Sequence, residues 1–511
     1  MSQSAPVAIA APALRGRRLV LCIVSLAVAL VPVQLDALVA ATALPTIAGE
    51  LGGFAQLAWI ATAYLLAMAV GTLVSGRLGD LFGRRALLIS ALLVFGTGSL
   101  LSGIAPSMGF LIAARAVQGL GAGMTFTTLI AAVADVAPPE RRAQYQGIVG
   151  AIAPVTMLLG PWAGGLVTDN LGWRWVFLLN LPLIAVALGG VVAFLRLPVQ
   201  SVGGRVDVRG LVASTVTASA IVLAVTWGGN EYAWSSPQVL TAVVVAVAAL
   251  AALVAAERRA THPVLPLDLF RSRTVVLALV VLAVAMGVVL MSMTNYLPAY
   301  LELVQGRSAA NSGLLLVPLL LPAIATAAVL GRWTTTTVRI RAAIIAGTVI
   351  LAGACVLLAT MSATTPGWQT GAYQVVAGLG LGAMFMSPTV LVQNAAPASV
   401  VGAATGTAGF VRMLGAAAGT GALGSVFAHA VGNQLPAGVD AATLTPAGVA
   451  ALPEAAQQAV REAVAAGSST LFWVTAAISL VAVVAAVTLP RRTAVQPADS
   501  TAPAADRAVT A

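Results

Sequence analysis

The chain has 511 residues, of which 59% are hydrophobic and only 8% charged, where a soluble domain carries about 25% charged residues. A mean hydropathy of +0.99 is more apolar content than one water-solvated core can hold, and it assigns the chain to a bilayer, where a spanning helix needs about 20 mostly apolar residues. The net charge is +10, yet all 26 basic residues are arginines, which excludes a P-loop ATPase and lysine Schiff-base chemistry because both require a lysine amine.

Apolar stretches bounded by charge, Pro or Gly predict spans at 19–40, 57–75, 86–104, 109–134, 145–167 and 175–195. Two more follow at 209–228 and 238–256, then six at 274–298, 311–330, 341–361, 370–394, 400–428 and 469–490. Alternate connecting segments hold 21 of the 26 arginines, from Arg15, Arg17 and Arg18 through Arg77, Arg84 and Arg85 to Arg491, Arg492 and Arg507. The opposite loops hold Arg174, Arg307 and Arg461, while Arg115 and Arg412 fall inside spans. The positive-inside rule then predicts both termini in the cytoplasm, in agreement with fourteen spans. The basic charge is therefore a topology signal and not a nucleic-acid surface. Residues 1–14 lack the pattern of a cleavable signal and are expected to be a cytoplasmic tail, and the Ala-, Pro- and Thr-rich tail 491–511 reads as disordered. Cys22, Cys355, His262 and His429 stand apart from one another, so neither a disulfide framework nor a metal site is expected.

The chain also repeats itself. Gly119-Leu120-Gly121-Ala122-Gly123-Met124-Thr125-Phe126 matches Gly378-Leu379-Gly380-Leu381-Gly382-Ala383-Met384-Phe385 at an offset of 259, with Ala137-Pro138 on Ala396-Pro397, Gly147 on Gly406 and Gly160 on Gly419. Gly76-Arg77 and Arg84 are echoed by Gly331-Arg332 and Arg339 at an offset of 255. Six spans need about 200 residues, so the offset leaves room for the pair of helices at 209–256. The predicted fold class is an all-α integral membrane protein with two pseudo-symmetric halves and fourteen helices arranged 6+2+6. Parallel repeats of this kind are a transporter architecture with substrate between the halves. The boundaries are 15–200 for the first six-helix half, 201–260 for the inserted pair, and 261–490 for the second half with an external loop at 430–467.

Individual motifs add a resemblance. Gly76-Arg77-Leu78-Gly79-Asp80-Leu81-Phe82-Gly83-Arg84-Arg85, read as the loop between spans 2 and 3, resembles the signature loop of the major facilitator superfamily. Its glycines suit a tight turn. Asp80 can sit against a helix N-terminus of the other half and pair with an arginine, so Gly76, Asp80, Gly83, Arg84 and Arg85 form a candidate conformational latch. Arg115-Ala116-Val117-Gln118-Gly119 in span 4 is similar to the family's second motif, whose arginine the resemblance links to proton movement; its plain alternative is a structural ion pair. Span 5, with Pro154, Gly160, Pro161, Gly164 and Gly165, resembles the motif of the family's antiporters, although Thr156 stands where a glycine is expected. Its Pro and Gly residues should kink the helix and allow close packing. Trp173-Arg174-Trp175-Val176-Phe177-Leu178-Leu179-Asn180-Leu181-Pro182 resembles the start of span 6 in drug:proton antiporters.

The end of span 1, from Leu35-Asp36 to Leu44-Pro45, resembles the corresponding family stretch with Leu38 for Thr and Ala41 for Asn. Asp36 is then expected to have few polar neighbours and a raised pKa, and to carry a proton or pair with a cationic substrate. Arg412-Met413-Leu414-Gly415 resembles a stretch of the fourteen-span branch. Glu302 lies at the outer edge of span 9. Asp36, Arg115, Glu302 and Arg412 are thus the candidate proton-coupling and substrate residues. With fourteen spans the chain resembles the drug:proton antiporter branch of the superfamily. That resemblance implies export of small amphipathic organic compounds, antibiotics among them, across the cell membrane by a monomer. It would use a proton gradient and no cofactor, and would not be an enzyme. An uptake carrier of the same fold is the alternative, disfavoured by the scarcity of polar residues for a nutrient site. A membrane enzyme would need clustered carboxylates or histidines that the loops lack.

Overall fold

The computed structural model describes residues 16–51, 57–138, 141–195, 208–228, 232–259, 267–306, 315–334, 336–385, 387–397, 400–436, 449 and 452–490. The tails 1–14 and 491–511, with Glu231, Arg307 and Asp440, lie outside these residues, as do the side chains of Leu38, Ala41, Pro154 and Pro161. The first half comprises α1 (Gly16–Leu51), α2 (Leu57–Phe82), α3 (Arg84–Gly103), α4 (Met108–Val136), α5 (Arg142–Gly150), α6 (Ile152–Leu171), α7 (Arg174–Leu178) and α8 (Asn180–Phe194). The inserted pair is α9 (Val208–Trp227) and α10 (Pro237–Glu257). The rest comprises α11 (Arg273–Val281), a π-helical stretch Leu282–Val289, α12 (Leu290–Leu303), α13 (Val317–Trp333), α14 (Thr337–Ala359), α15 (Gly367–Met384), α16 (Ser387–Ala395), α17 (Val401–Gly432) and α18 (Glu454–Val487).

Eleven stretches among the described residues are long and apolar enough to cross a bilayer, and two shorter apolar helices cover Val212–Val225 and Val317–Trp333. Large apolar side chains such as Val186, Val244, Val247 and Val329 are turned outward, as lipid-facing surface requires. The predicted span 145–167 is broken. Pro154 has no N–H to bond the carbonyl of Gly150, so α5 stops at Gly150 and α6 restarts at Ile152.

The repeat is visible in the packing. Without a hydrophobic drive between helices in lipid, close approach depends on small residues. A methyl group added to Gly119 or Gly123 would lie 2.1 Å from a backbone oxygen of α2, and one on Gly121 would lie 2.3 Å from a backbone nitrogen of α3. In the second half Gly378 and Gly382 meet α13 at 2.2 and 2.4 Å, and Gly380 meets α14 at 2.9 Å. The same three-glycine register therefore wedges α4 between α2 and α3, and α15 between α13 and α14. Contacts between the halves follow the repeat as well: Gly147 of α5 faces the Ala327 carbonyl of α13, and Gly406 of α17 faces the Thr72 carbonyl of α2. The sequence offsets are 259 for the glycines and 255 for their partners.

Two predicted loops are largely helical. The Gly76–Arg85 segment is not an extended loop, because α2 continues to Phe82 and the chain turns at Gly83 alone. Gly83 has φ of 87°, a backbone conformation that glycine adopts without steric cost. The predicted external loop 430–467 is shortened because α18 begins at Glu454; its Ala-rich start reads as helix once the residues 454–468 are counted with the span.

Candidate functional site

Asp36 of α1 is 1% exposed and Arg115 of α4 is 2% exposed. Arg115 Nη1 donates to Asp36 Oδ2 at 2.5 Å, while Gln118 Nε2 and Asn180 Nδ2 donate to Oδ1 at 2.8 and 3.0 Å. Ser99 of α3 accepts from the same two amides and donates to the Phe177 carbonyl. The Arg115 guanidinium lies 4.1 Å above the Tyr64 ring and also donates to Gln118 Oε1. This corrects the expectation of few polar neighbours. The polar groups come from α3, α4 and α8, so substitutions on α1 itself do not deplete them. Arg115 and Gln118 are three residues apart and share a helix face, a signal that sequence reading had available. Breaking one partner of such a buried pair costs about 3–5 kcal/mol, because the other charge stays behind unpaired.

At the arginine-rich end of the bundle, α2 meets the start of α17. Asp80 Oδ1 accepts from the Gly402 amide at 3.2 Å and Oδ2 from the Ala403 amide at 3.1 Å. These are free N–H groups of a helix N-terminus, where a carboxylate is favoured. Arg84 donates to Asp80, to Asp135 Oδ2 at 3.0 Å and to the Gly76 carbonyl at 3.4 Å. Gly76 lets the helices touch, since a methyl group there would lie 2.5 Å from the Gly402 carbonyl oxygen. Arg85 Nη2 donates instead to the Val192 carbonyl within its own half. Nearby, Gln146 Nε2 donates to Gln393 Oε1 at 2.7 Å and Arg142 Nη1 to Asn394 Oδ1 at 3.1 Å. These two bridges were not anticipated, because nothing local in the sequence pairs α5 with α16. The Asp80, Gln146 and Arg142 hydrogen bonds between the two halves lie at this end, and a weak Thr72 to Met413 contact lies further along α2.

Between the halves lies a narrow cavity of about 40 Å³, walled by Leu30, Phe126, Ile130, Leu282, Phe385 and Arg412. It has room for a few waters but not for a drug-sized ligand, whose pockets span about 300–1,000 Å³. The Arg412 guanidinium sits 4.7 Å over the Phe126 ring. Gly415, one turn further along α17, packs against the π-helical stretch, where a methyl group would lie 2.2 Å from the Ala283 carbonyl oxygen. That contact orients α17 with Arg412 toward the cavity. Asp36 is not on this wall.

The remaining predicted residues are placed elsewhere. Glu302 is half-buried in the last turn of α12, away from the cavity. Gly160 and Gly164 are buried in α6, but Gly165 has open space around it, so close packing is not its role there. Among the described residues no three His, Cys, Asp or Glu side chains could share a metal ion. Arg174 donates to exposed Glu50 and stacks 4.4 Å from Trp173, whose Nε1 donates to the same carboxylate at 2.6 Å. These hydrogen bonds, that from Arg174 first, hold the Glu50 carboxyl below its ordinary range. A depressed carboxyl pKa means that this tie is complete above the unfolded-state value and is lost as pH falls through the folded one. Being solvent-screened, the pair is expected to add little stability: Glu50→Gln should leave the melting temperature at neutral pH within a degree or two, as differential scanning fluorimetry would measure.

Fold and site together define a helical membrane protein with two repeated halves meeting around a central cavity. The chain belongs to the major facilitator superfamily, whose profile matches residues 26–420. It is similar to an uncharacterized MFS-type transporter of Mycobacterium tuberculosis, 33% identical over 461 residues covering 88% of this chain and 66% of that protein, just under two thirds of its length. The multidrug transporter protein MdtP of Bacillus subtilis is 31% identical over 81% of this chain and 76% of its own. The efflux pump FUS6 of Gibberella fujikuroi is 31% identical over 83% and 78%. In fold, the chain resembles the proton:xylose symporter XylE at a TM-score of 0.62 and 14% identity, covering 93% of this chain and 96% of that one. It also resembles the human organic anion transporter MFSD10 at 0.61 and 14%, covering 92% and 100%.

Proposed function

We propose that the chain is a proton-coupled exporter of small amphipathic organic compounds in the plasma membrane. Its helices form fourteen spans arranged 6+2+6, with both termini in the cytoplasm, and it works as a monomer by alternating access. The observation that carries this reading is the clustering of polar contacts between the halves at the arginine-rich end. By the positive-inside rule that end is cytoplasmic, so this conformation is closed to the cytoplasm. Asp80 on the α17 N-terminus is the latch, with Arg84 holding its carboxylate in place. Names of relatives that include a multidrug transporter and an efflux pump support the outward direction.

Proton coupling is assigned to the Asp36–Arg115 pair. A proton on Asp36 removes the charge that Arg115 pairs with, so proton arrival and release of Arg115 are one event. A change in that network repacks α1, α3, α4 and α8 together, and the rest follows from reciprocal linkage between proton and substrate. Glu302 and Arg412 are the further candidates, and no cofactor is required. In everted vesicles with an imposed proton gradient, amphipathic compounds are expected to release protons and sugars are not. Silence to amphipathic compounds, together with sugar entry that carries protons into the vesicle, would replace the exporter by an uptake carrier.

A further inference from the structure

We propose that the central cavity, about 40 Å³ in this conformation and widened when the halves part, receives an organic anion, which presents a carboxylate, sulfonate or phenolate to Arg412 and lays an apolar, preferably aromatic, body against the walls. This rests on the export reading above and specifies its substrate class.

The charges around the cavity are of one sign. Arg412 is the charged side chain among those lining it, and the guanidinium makes no hydrogen bond or ion pair among the described residues, resting only on Phe126. Three acids of the first half are already engaged: Asp36 by Arg115, Gln118 and Asn180, and Asp80 and Asp135 by Arg84. An arginine has five donors and no acceptor, and Arg412, half-buried on the cavity wall, gains by pairing them, since partial loss of water around an unpaired charge is costly. A cavity of about 40 Å³ supplies only a few waters in compensation. The counter-charge therefore comes with the cargo.

The shape of the group fits as well. A guanidinium is planar and pairs with a carboxylate or sulfonate through two parallel hydrogen bonds. Thr389 stands on the same wall with its hydroxyl unpartnered among the described residues, and can donate to the same anion. Leu30, Ile130, Leu282 and Phe385 supply the apolar remainder. A cationic amphiphile would face Arg412 with no acid to offset the repulsion. An inside-negative membrane potential also drives an anion outward.

The test is equilibrium binding to the full chain in nanodiscs, over empty nanodiscs, of three probes with one body and different heads: 4-(pyren-1-yl)butanoate, its methyl ester, and the butyltrimethylammonium analogue. The carboxylate is expected to bind about tenfold or more tighter than the other two, the scale of charge-assisted hydrogen bonds in a dry site. Arg412→Gln should erase the difference and Arg412→Lys should retain part of it. Equal or tighter binding of the ester or the cation by the unaltered chain, or no saturable binding of any probe, overturns the proposal without needing a variant to fold. A preference that survives Arg412→Gln overturns it too. Binding of the carboxylate without its movement in proton-driven vesicles would keep the anion site and refute export. Export of the cation in preference to the carboxylate would keep export and refute the anion site.

Discussion

Replacing Asp36 by Asn is expected to abolish proton-driven transport and to destabilise the fold by about 3–5 kcal/mol, because Arg115 remains as an unpaired buried charge. The carboxylate oxygens accept from three side chains, Arg115, Gln118 and Asn180. An amide places an NH2 group against at least one of those donors, so hydrogen bonding cannot be restored by rotation. A lost phenotype alone would not separate a coupling residue from a structural one, and the double variant Asp36→Asn with Arg115→Gln does. Neutralising both partners of a buried pair is often close to neutral for stability, so the double variant should recover most of the melting temperature and still release no protons when substrate is added. Recovery of proton release along with stability would make the pair a structural ion pair and nothing more. Thermal melts and vesicle proton release, read on the same three proteins, decide this.

Gly402→Ala is expected to keep the bundle folded and to disable closure at the arginine-rich end. The added methyl group would lie 2.1 Å from Arg84 Nη1 and 2.5 Å from both Asp80 Oδ1 and the Gly76 carbonyl oxygen. The first two are side-chain atoms that can retreat, but the third is backbone and moves only if α2 and α17 part. Separation forfeits the two amide bonds to Asp80, at about 1.5–3 kcal/mol each for charge-assisted bonds, enough to shift a two-state population by tenfold or more. The natural cysteines Cys22 and Cys355 are both buried, so a cysteine introduced for Ala153 on the cavity wall can report access with little background. Its labelling from the arginine-rich side should rise in the Gly402→Ala background. Unchanged labelling would mean that the Asp80 contact does not hold the halves together.

How much of this was legible in the sequence depends on the range of each interaction. Spans, repeat and latch are local patterns. The glycine register at 119–123 and 378–382 could be matched by eye, and Asp80 with Arg84 lies within one ten-residue motif. The helix N-terminus that Asp80 meets could be anticipated in kind, although its identity, Gly402 and Ala403, required the fold. The turn is shorter than its glycines suggest, because Gly76 and Gly79 serve close packing in a continuing helix. Around Asp36 the sequence was misleading: its neighbours on α1 are apolar, and the polar groups arrive from Ser99, Gln118 and Asn180, between 63 and 144 residues away. Two of these sat inside motifs already singled out, but spacing does not show that separate motifs converge. Phe126 could be matched to Phe385 in the repeat, and both line the cavity, but its place beneath Arg412 had no sequence signal, since that contact joins the two halves across the cavity. A kink in span 5 was legible because proline acts on its own helix, but its full extent, a break at Ala151, was not.

The most direct test of the account is a pair of spin-label distances read by pulsed electron resonance, one at each end of the bundle. Labels at Arg141 and Ala396 report the arginine-rich end, and labels at Gly109 and Trp368 the opposite end, each pair joining the two halves. Rocking of the halves about the central cavity predicts that the two distances change in opposite directions as protons and substrate are added, with the first pair short in the state described here. Distances that rise and fall together, or a first pair that stays short under every condition, would contradict alternating access.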